Sequence, residues 1–313
     1  MKILANDGID PAGKQLLEEA GFMVDTNKIA QEELPEKLKN YDGIIVRSAT
    51  TVRESLINTC AGRLRFIGRA GVGLDNIDVE AAKARNIEVL NTPAASSLSV
   101  AELVFAHLFG LSRFVHRSNR ELTDGSAEQF NRLKKEYAGG WELWGKTLGI
   151  IGFGRIGQEV GRIAKGIGMQ VIVFDVVFES SASLKGETEQ KHGVEVCSLD
   201  ELLRRADCVS LHTPGLGKPL IDAEAFRKMK KGAVLINCSR GGIVDEQALL
   251  DALDSGHLLA AGLDVFAHEP TPDSRLLNHP RISVSPHIGA STAEAQERVG
   301  IEMARRIIEA FKV

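Results

Sequence analysis

The 313-residue chain has no excess of positive charge, because 38 Lys and Arg stand against 42 Asp and Glu, giving a formal net charge of −4. Binding to nucleic acid or to an anionic membrane needs a basic surface, so this balance argues against both. No apolar run approaches the ~20 residues of a membrane helix, and Asp7 interrupts the N-terminus before a signal-peptide core can form. We expect a cytoplasmic globular protein that binds neither nucleic acid nor membrane.

Cysteine is sparse as well. Cys60, Cys197, Cys208 and Cys238 lie far apart and have no CxxC spacing, which is typical of a protein in a reducing compartment without a disulfide framework. No cluster of Cys, His, Asp and Glu has the spacing of metal ligands. The sequence therefore predicts neither disulfides nor a metal site.

Short runs rich in Val and Ile alternate with amphipathic stretches along almost the whole chain. This alternation predicts βαβ units and an α/β fold with two Rossmann-like, doubly wound parallel-sheet domains. The predicted strands are 2–5, 43–47, 64–69, 87–90, 147–151, 170–174, 208–211, 233–237, 260–263 and 282–284.

Helix signals lie between these strands. Asp10 and Pro11 form a cap and first turn, and Ser99 with Glu102 forms a capping-box pattern that predicts a helix from Ser99 to about Arg117. The polar segments 118–140 and 179–193 are typical of irregular stretches, and the tail 291–312 has the pattern of one amphipathic helix.

A glycine motif follows the strand predicted at 147–151. Gly152, Gly154 and Gly157 have the spacing G-x-G-x-x-G between that strand and a helix. Gly152 permits a tight turn, Gly154 lets the backbone approach a pyrophosphate, and Gly157 lets the helix pack closely on the strand. The amides of Arg155 and Ile156 would hold the phosphates at the helix N-terminus. This combination predicts a dinucleotide-binding site.

Asp175 indicates which dinucleotide binds. It closes the next predicted strand, 18 residues after Gly157, where a carboxylate accepts hydrogen bonds from the adenosine ribose and repels a 2′-phosphate. The sequence therefore predicts NAD as the cofactor. We place the NAD-binding Rossmann domain at residues 99–285, inserted into a discontinuous substrate-binding, flavodoxin-like domain of residues 1–98 and 286–313.

Candidate catalytic residues follow three predicted strands of the second half, in the segments 237–242, 262–270 and 285–290. Ligands collect at the carboxyl ends of strands in open α/β sheets. An enzyme that uses nicotinamide to act on a hydroxy acid needs a cation for the substrate carboxylate, an acid/base that works near neutral pH and a group that orients this base. The three segments contain candidates for each of these roles.

These motifs, in this order, resemble the D-isomer-specific 2-hydroxyacid dehydrogenase family over essentially the whole chain: the glycine motif, Asn-x-Ser-Arg-Gly, Gly-x-Asp-Val with a later Glu-Pro, and Pro-His-Ile-Gly. The resemblance implies that Arg240 binds the substrate carboxylate and carbonyl, that His287 is the acid/base, and that Glu269 is its partner. Arginine offers a bidentate fork to a carboxylate, and a carboxylate beside an imidazole favours its charged form and orients it.

The same resemblance assigns further residues to the cofactor. It implies that His212, Thr213 and Pro214 line the adenine side and that Asp264 lies near the nicotinamide carboxamide. Cys238, Gly289 and His287 complete this cofactor set. The other histidines receive no catalytic role: His107 and His116 are interpreted as packing or surface residues of the long helix, and His268 lacks the Pro-His-Ile-Gly match.

The first domain indicates which acid is bound. Arg47 and Arg69 lie at the ends of predicted strands, and Gly71, Val72 and Gly73 offer backbone amides. Two arginines with an amide nest suit a substrate with two anionic ends, which a phosphorylated 2-hydroxy or 2-keto acid has. These segments resemble the branch of the family that oxidises D-3-phosphoglycerate. The resemblance then implies that the arginines bind the phosphate and the amides the carboxylate.

Other interpretations remain open. A glyoxylate or hydroxypyruvate reductase, or another D-2-hydroxyacid dehydrogenase, would keep the same catalytic residues, and NAD-sensing corepressors that resemble this family act as binding modules. Many members of the phosphoglycerate branch continue into a regulatory domain, and because the sequence stops at Val313 we expect a short form. The apolar helix after residue 98, with Trp141 and Trp144, predicts a homodimer interface.

Overall fold

The structure is a computed structural model that describes residues 1–123 and 125–311. The strands found there are β1 Lys2–Ala5, β2 Met23–Asp25, β3 Gly43–Val46, β4 Phe66–Arg69, β5 Glu88–Asn91, β6 Thr147–Ile151, β7 Gln170–Phe174, β8 Glu195–Val196, β9 Cys208–Leu211, β10 Ala233–Asn237, β11 Leu258–Leu263 and β12 Ile282–Val284.

The helices found in the same residues are α1 Pro11–Glu19, α2 Leu34–Lys37, α3 Glu54–Cys60, α4 Val79–Ala84, α5 Ser97–Ser112, α6 Val115–Glu121, α7 Ala127–Glu136, α8 Arg155–Gly166, α9 Ala182–His192, α10 Leu199–Arg205, α11 Ala223–Lys228, α12 Glu246–Asp254, α13 Ser274–Asn278 and α14 Ala293–Phe311. Helix α14 agrees with the predicted tail helix, whose expected end at Lys312 lies outside the described residues.

Two parallel sheets organise the fold. The first has the strand order β2-β1-β3-β4-β5, and the second has the order β12-β11-β10-β9-β6-β7-β8. All neighbouring strands run parallel. In each sheet the order reverses beside the strand that comes first in the chain, β1 or β6, which is the doubly wound pattern. The α/β prediction is therefore confirmed.

The central strands were predictable because they are buried on both faces. Ile3, Leu4 and Ala5 of β1 are 0 % exposed, and every residue of β10 is buried. Strands covered by helices on both sides have continuous apolar sequences. The two strands missing from the prediction, β2 and β8, lie at sheet edges and are three and two residues long.

The chain divides into two compact units, Met1–Ser97 with the residues from Ala290 onward, and Leu98–Gly289. The predicted boundary at residue 286 differs from this division by four residues. The reason is local: the backbone amides of His287, Ile288 and Gly289 hydrogen-bond to Asp264, which follows β11, at 2.8 Å each. These bonds attach the segment 286–289 to the second unit.

Several helix limits correct the sequence prediction. Helix α5 begins at Ser97 rather than Ser99, and the Ser99 hydroxyl donates to the Gly289 carbonyl at 2.7 Å instead of capping a helix. Phe114, in the left-handed region with φ of 56°, separates α5 from α6. The segments expected to be irregular contain α7 and α9, the latter capped by Ser181 and ended by Gly193 with φ of 58°.

One group of exposed apolar side chains of the second unit lies on and beside α5, α6 and α7. Its members are Leu98, Phe109, Val115, Leu122 and Phe130, and Trp144 is exposed as well. Trp141, in contrast, packs against the core cluster of its unit. A homodimer through this surface remains a prediction.

Membrane-spanning potential is confined to one bent pair of helices. Within the described ranges no single helix is both long and apolar enough to cross a membrane. Helices α5 and α6, bent by 64°, meet that requirement only together and only by length and composition.

One close helix contact in the first unit depends on glycine. A Cβ atom on Gly13 of α1 would overlap the backbone of Gly300 of α14, and a Cβ on Gly300 would lie 2.7 Å from the Cβ of Asp10. The two helices therefore approach backbone to backbone, which keeps α14 packed on the five-stranded sheet.

We expect Gly13→Ala to destabilise the first unit by about 1–3 kcal/mol, because the new methyl group meets rigid backbone and the strain exceeds the higher helix propensity of alanine, about 1 kcal/mol. Gly62→Ala is the matched control, since a Cβ there meets no atom within 4 Å. Urea unfolding of both variants measures the difference. Equal midpoints for the two variants would contradict the close contact.

Candidate functional site

The glycine loop joins β6 to α8. Gly152 has φ of 90°, and a Cβ there would lie 2.5 Å from the His212 carbonyl oxygen. A Cβ on Gly157 would overlap the carbonyl oxygen of Gly152, so this glycine lets α8 start close to the strand. A Cβ on Gly154 would meet no protein atom within 4 Å. Protein packing thus requires Gly152 and Gly157, whereas the bare backbone at Gly154 leaves room for a ligand beside it.

The start of α8 supplies the binding groups of this loop. Arg155 and Ile156 are the first residues of a twelve-residue helix whose N-cap is Gly154. Arg155 is exposed and Ile156 half-buried, so their amides lie at an accessible helix N-terminus with its positive dipole end. This arrangement fits a pyrophosphate.

Asp175 lies at the end of β7, next to the glycine loop. Its Oδ2 accepts a hydrogen bond from the Phe153 amide at 2.8 Å, and its Oδ1 accepts one from the Val177 amide at 3.2 Å. The carboxylate is therefore held against the loop that would carry the pyrophosphate. This position suits hydrogen bonding to a ribose attached to that pyrophosphate.

His212 and Thr213 follow β9, the other neighbour of β6. The His212 Nε2 bonds to the Ser210 hydroxyl at 2.8 Å, whereas the His212 Nδ1 and the Thr213 hydroxyl are buried and have no partner within the described residues. Buried polar atoms normally find a partner. Two such atoms beside the glycine loop fit a site that is completed by a polar ligand, and the exposed residues Pro214 and Gly215 follow them.

The Arg240 loop follows β10 and is organised by Asn237. The Asn237 side chain donates to the Arg240 carbonyl at 2.9 Å and accepts from the Ser239 amide and hydroxyl. The Arg240 guanidinium donates to the Ser239 carbonyl at 2.6 Å. Cys238 between them is 6 % exposed, and burial raises the pKa of its thiol well above the ordinary value, so it is a neutral lining group.

A second loop contacts the Arg240 loop directly. A Cβ on Gly241 would overlap the carbonyl oxygen of Phe266, so only glycine allows this approach. The Phe266 amide in turn donates to the Glu269 Oε1 at 3.0 Å, and the Ala267 amide donates to Glu246 at 2.7 Å. The loop that carries Glu269 is thus fixed against the loop that carries Arg240.

Glu269 and His287 form a close pair. The Oε2 of Glu269 lies 2.7 Å from the Nδ1 of His287, with the imidazole 42 % and the carboxylate side chain 35 % exposed. His287 has φ of 55°, a conformation uncommon for a residue with a side chain. A half-exposed imidazole bonded to a carboxylate through one nitrogen can exchange a proton with a ligand through the other. The structure brings the two predicted partners together.

Asp264 holds the backbone of the His287 loop. The residue is 0 % exposed, and its side chain accepts from the Ser285 hydroxyl at 2.6 Å and from the amides of Ile288 and Gly289 at 2.8 Å each. A Cβ on Gly289 would lie 3.2 Å from the Asp264 Oδ2. The family resemblance implies a cofactor contact for Asp264, and the structure shows in addition that Asp264 supports the loop of His287.

The Arg47 loop of the first unit is held from both sides. Asp7 accepts from the Arg47 amide at 2.7 Å and from the Thr50 amide and hydroxyl at 3.0 and 2.7 Å. The Asn76 amide group donates to the carbonyls of Arg47 and Thr50 at 2.7 and 2.6 Å. The Arg47 Nε is buried and has no partner in the described part of the chain. A donor in that state favours an anionic ligand.

The predicted amide nest of Gly71, Val72 and Gly73 is wrong in one detail, which concerns Gly71. A Cβ on Gly71, which has φ of 153°, would overlap the Arg69 guanidinium, so the glycine lets that side chain fold over it. The Gly71 amide donates to the Arg69 carbonyl at 2.8 Å and is therefore already used. Val72 and Gly73 remain the candidate amides, and the Asn91 side chain holds the Val72 carbonyl at 2.8 Å.

Four supporting residues, Asp7, Asn76, Asn237 and Glu246, are absent from the set of candidates that the sequence provides. In each of them a polar side chain hydrogen-bonds to backbone beside the end of a strand. The sequence gives a signal for this role only at Asn237, because Asn237 lies within the Asn-x-Ser-Arg-Gly motif. Within residues 1–123 and 125–311, no group of three or more His, Cys, Asp or Glu could hold a metal ion.

The half-buried His212, whose Nδ1 is buried, should make stability depend on pH. Burial lowers its pKa to about 3, below the ~6.5 of an unfolded histidine. The folded state therefore binds fewer protons, and its stability is fully present above about pH 6.5 and is lost as the pH falls toward 3. When the pH falls from about 7 to about 5, this histidine should lower the unfolding free energy by about 2 kcal/mol.

His212→Gln should remove that pH dependence, and the exposed His268→Gln should leave it in place. Urea unfolding of both variants at the two pH values measures the difference. Identical pH dependence in both variants would contradict the assignment to His212.

Comparisons with known proteins agree with this geometry. Residues 105–289, more than half of the chain, match the family model described as D-isomer specific 2-hydroxyacid dehydrogenase, NAD binding domain. The chain is 43 % identical over 310 residues to D-3-phosphoglycerate dehydrogenase of Methanocaldococcus jannaschii, with 98 % of the chain and 57 % of the relative covered. It is 40 % identical over 314 residues to the Homo sapiens enzyme of that name, with 99 % and 56 % covered. The chain thus spans slightly more than half the length of these curated relatives.

Solved structures give the same result. Holo D-mandelate dehydrogenase of Rhodotorula graminis has a TM-score of 0.87 at 28 % identity, covering 98 % of this chain and 93 % of that one. A glyoxylate reductase from Paecilomyes thermophila has a TM-score of 0.84 at 30 % identity, covering 98 % and 95 %. The chain belongs to the D-isomer specific 2-hydroxyacid dehydrogenase family, and its residues 105–289 form the NAD-binding domain of that family.

Proposed function

We propose that the protein is an NAD-dependent dehydrogenase that oxidises D-3-phosphoglycerate reversibly to 3-phosphohydroxypyruvate, the first step of serine biosynthesis. The observation that carries the dehydrogenase reaction is the 2.7 Å pair of Glu269 and His287. The loop of Glu269 packs against the loop of Arg240. These side chains supply the base, its orienting carboxylate and the cation that the reaction needs. Relatives named D-3-phosphoglycerate dehydrogenase support the choice of substrate.

The proton path follows from the tautomer of His287. Because Glu269 as a carboxylate only accepts hydrogen bonds, the Nδ1 of His287 carries the proton and its Nε2 has the lone pair in the neutral ring. In oxidation, Nε2 takes the proton of the substrate hydroxyl, and the Glu269 carboxylate stabilises the imidazolium that forms. In reduction, the imidazolium returns this proton to the carbonyl oxygen. The chemistry that bound NAD supplies is acceptance of the hydride from the substrate carbon.

Cofactor binding is assigned to the loops around β6. The amides of Arg155 and Ile156 bind the pyrophosphate, Asp175 binds the adenosine ribose, and His212 with Thr213 completes the adenine side.

Substrate binding is assigned to three arginines. Arg240 binds the substrate carboxylate through its bidentate fork and polarises the carbonyl, which gathers negative charge during reduction. Arg47 and Arg69 bind the phosphate, and the amides of Val72 and Gly73 assist with the carboxylate.

The second candidate is a glyoxylate or hydroxypyruvate reductase, favoured by the structural likeness to a glyoxylate reductase. It would use the same Glu269–His287 pair, but a substrate without phosphate leaves the clamped Arg47 loop without a second anion to bind. The two functions therefore differ in whether the first unit must bind a phosphate, and they use the same residue pair of the second unit.

Substitution of His287 tests the chemistry. We expect His287→Asn to lower kcat by about 10²–10⁴-fold, because asparagine cannot exchange the proton, while NADH affinity stays within about threefold of the unaltered protein. His268→Asn is the matched control, since this exposed histidine is next to Glu269 in sequence and the Glu269 carboxylate pairs with His287 instead. Steady-state kinetics with fluorescence titration of NADH measures both. Comparable turnover of the two variants would refute His287 as the acid/base.

A panel of keto acids tests the substrate. We expect kcat/KM for NADH oxidation to be higher with 3-phosphohydroxypyruvate than with hydroxypyruvate, glyoxylate or pyruvate. The double variant Arg47→Ala/Arg69→Ala should lower kcat/KM for 3-phosphohydroxypyruvate by about 100-fold or more, since each charged hydrogen-bonded contact contributes roughly 1.5–3 kcal/mol. The unphosphorylated acids should change far less. Arg85→Ala, an exposed arginine of the same unit, is the control.

An equal loss on all four acids would remove phosphate binding from Arg47 and Arg69. Preference of the unaltered protein for an unphosphorylated acid would favour the reductase. Tight NADH binding without turnover of any acid would favour a nucleotide-sensing binding module.

A further inference from the structure

A buried polar chain lies behind the loop of His287. His107, in the middle of α5, is 4 % exposed, and its side chain lies against Gly262 of β11, where a Cβ would approach the His107 Cβ to 2.9 Å. Its Nε2 lies 3.0 Å from the Ser285 hydroxyl and its Nδ1 lies 2.9 Å from the Ser283 hydroxyl. The proton path proposed above uses neither His107 nor the two serines.

The direction of each hydrogen bond follows from Asp264. The Ser285 hydroxyl donates its single proton to the Asp264 Oδ1 at 2.6 Å, so its oxygen must accept from the Nε2–H of His107. The Nδ1 of His107 then has the lone pair and accepts from Ser283. Burial lowers the pKa of His107 despite the nearby Asp264, which acts in the opposite direction, so the ring is neutral as this pattern requires.

The chain ends on the backbone of the catalytic loop. The same Oδ1 of Asp264 accepts from the Ile288 amide, the Oδ2 accepts from the Gly289 amide, and the Asp264 carbonyl accepts from the His287 amide. His287 itself has the uncommon φ of 55°, which persists only where neighbouring contacts enforce it. Whatever fixes the Asp264 carboxylate therefore fixes the direction in which the imidazole of His287 points.

We propose that His107 is a positioning residue, which acts through Ser285 and Asp264 to hold the loop 285–289 in the geometry that orients His287. This role in turnover rests on the dehydrogenase function proposed above. The role in loop geometry does not, because it follows from hydrogen bonds within the second unit alone. His107 directs both ring nitrogens to the serines and acts on His287 only through them, so it is not a catalytic residue.

The two serines provide a matched pair for the test. Ser285→Ala interrupts the chain between His107 and Asp264, whereas Ser283→Ala removes one hydrogen bond from the same imidazole and leaves the chain intact. Both remove one hydrogen-bonded hydroxyl, so both should lower the thermal midpoint. His107→Met removes the imidazole at similar volume, and His107→Gln restores a donor for Ser285.

The first readout is amide hydrogen exchange, which needs no substrate. We expect exchange at residues 287–289 to become faster in Ser285→Ala and His107→Met by roughly tenfold, because exchange tracks the local opening that these bonds oppose. Ser283→Ala and His107→Gln should stay within about twofold of the unaltered protein. Equal acceleration in Ser283→Ala and Ser285→Ala would overturn the proposal, since it would mean that His107 acts only through packing.

The second readout is turnover of the best keto acid. We expect kcat to fall roughly tenfold in Ser285→Ala and His107→Met, because small displacements of a reacting group have large effects on rate, with NADH affinity unchanged. The double variant Ser285→Ala/His107→Met should have a kcat similar to that of Ser285→Ala alone, since the effects of residues in one hydrogen-bonded chain are not additive. Unchanged kcat and exchange in His107→Met would also overturn the proposal. If the unaltered protein turned over no acid, the function proposed above would fail, and hydrogen exchange alone would decide whether His107 positions the loop.

Discussion

The buried side chain of Asp264 is the constraint on which the candidate site of the second unit depends. It is 0 % exposed and accepts hydrogen bonds from one hydroxyl and two backbone amides of the loop that carries His287. A carboxyl group is retained in such a place only when hydrogen-bond donors satisfy its oxygens. Here the loop itself supplies the donors, so the bonds that satisfy the buried group also fix the loop. The imidazole can stay half exposed to a ligand because Asp264 anchors the backbone of its loop and Glu269 bonds only one of its two ring nitrogens.

Close backbone approach is the second constraint, and it explains where glycine is needed. Gly157 brings the start of α8 against the end of β6, Gly152 brings the glycine loop against His212 after β9, and Gly241 brings the Arg240 loop against Phe266. In each case a Cβ would collide with a carbonyl oxygen rather than with a movable side chain. The helix N-terminus proposed to bind the pyrophosphate and the Arg240 loop proposed to bind the substrate are thus both placed by close backbone approach.

The central strands are predictable from the sequence because burial on both faces leaves an unbroken apolar run, as in β1, β6 and β10. Strands β2 and β8 are not, since two or three residues at a sheet edge have no periodicity to detect. Helix α9 resembles a loop in sequence because it lacks an apolar stripe, and only Ser181 and Gly193 at its ends mark it as helical. The Ser99 pattern is misleading for a tertiary reason, since that hydroxyl binds the Gly289 carbonyl 190 residues away.

The sequence motifs predict the main residues of the candidate site, but they do not predict the residues that hold its loops in place. Arg240, Glu269 and His287 each belong to a recognisable segment, and the pairing of the last two at 2.7 Å agrees with the expected chemistry. Supporting residues such as Asp7 and His107 belong to no motif, because what matters for them is which groups they reach in three dimensions. The sequence suggests a packing role for His107, and by burial it has one. Its two ring nitrogens, however, meet the hydroxyls of β12 and of the residue that follows it.

Under the proposed function, the two units divide the task between reaction and recognition. In the second unit, the buried Asp264 and several glycines fix the loops to which proton transfer and dinucleotide binding are assigned, and these groups would suit any 2-hydroxy acid. In the first unit, Asp7 and Asn76 clamp both ends of the segment 47–50, so the Arg47 side chain leaves from a rigid backbone and keeps a buried Nε that favours an anion. A rigid cationic loop discriminates against substrates without a second anion, because its desolvated donor would then stay unsatisfied. Under the proposed function, selection among hydroxy acids would therefore depend on how firmly this loop is held, and much less on the Glu269–His287 pair to which the reaction is assigned.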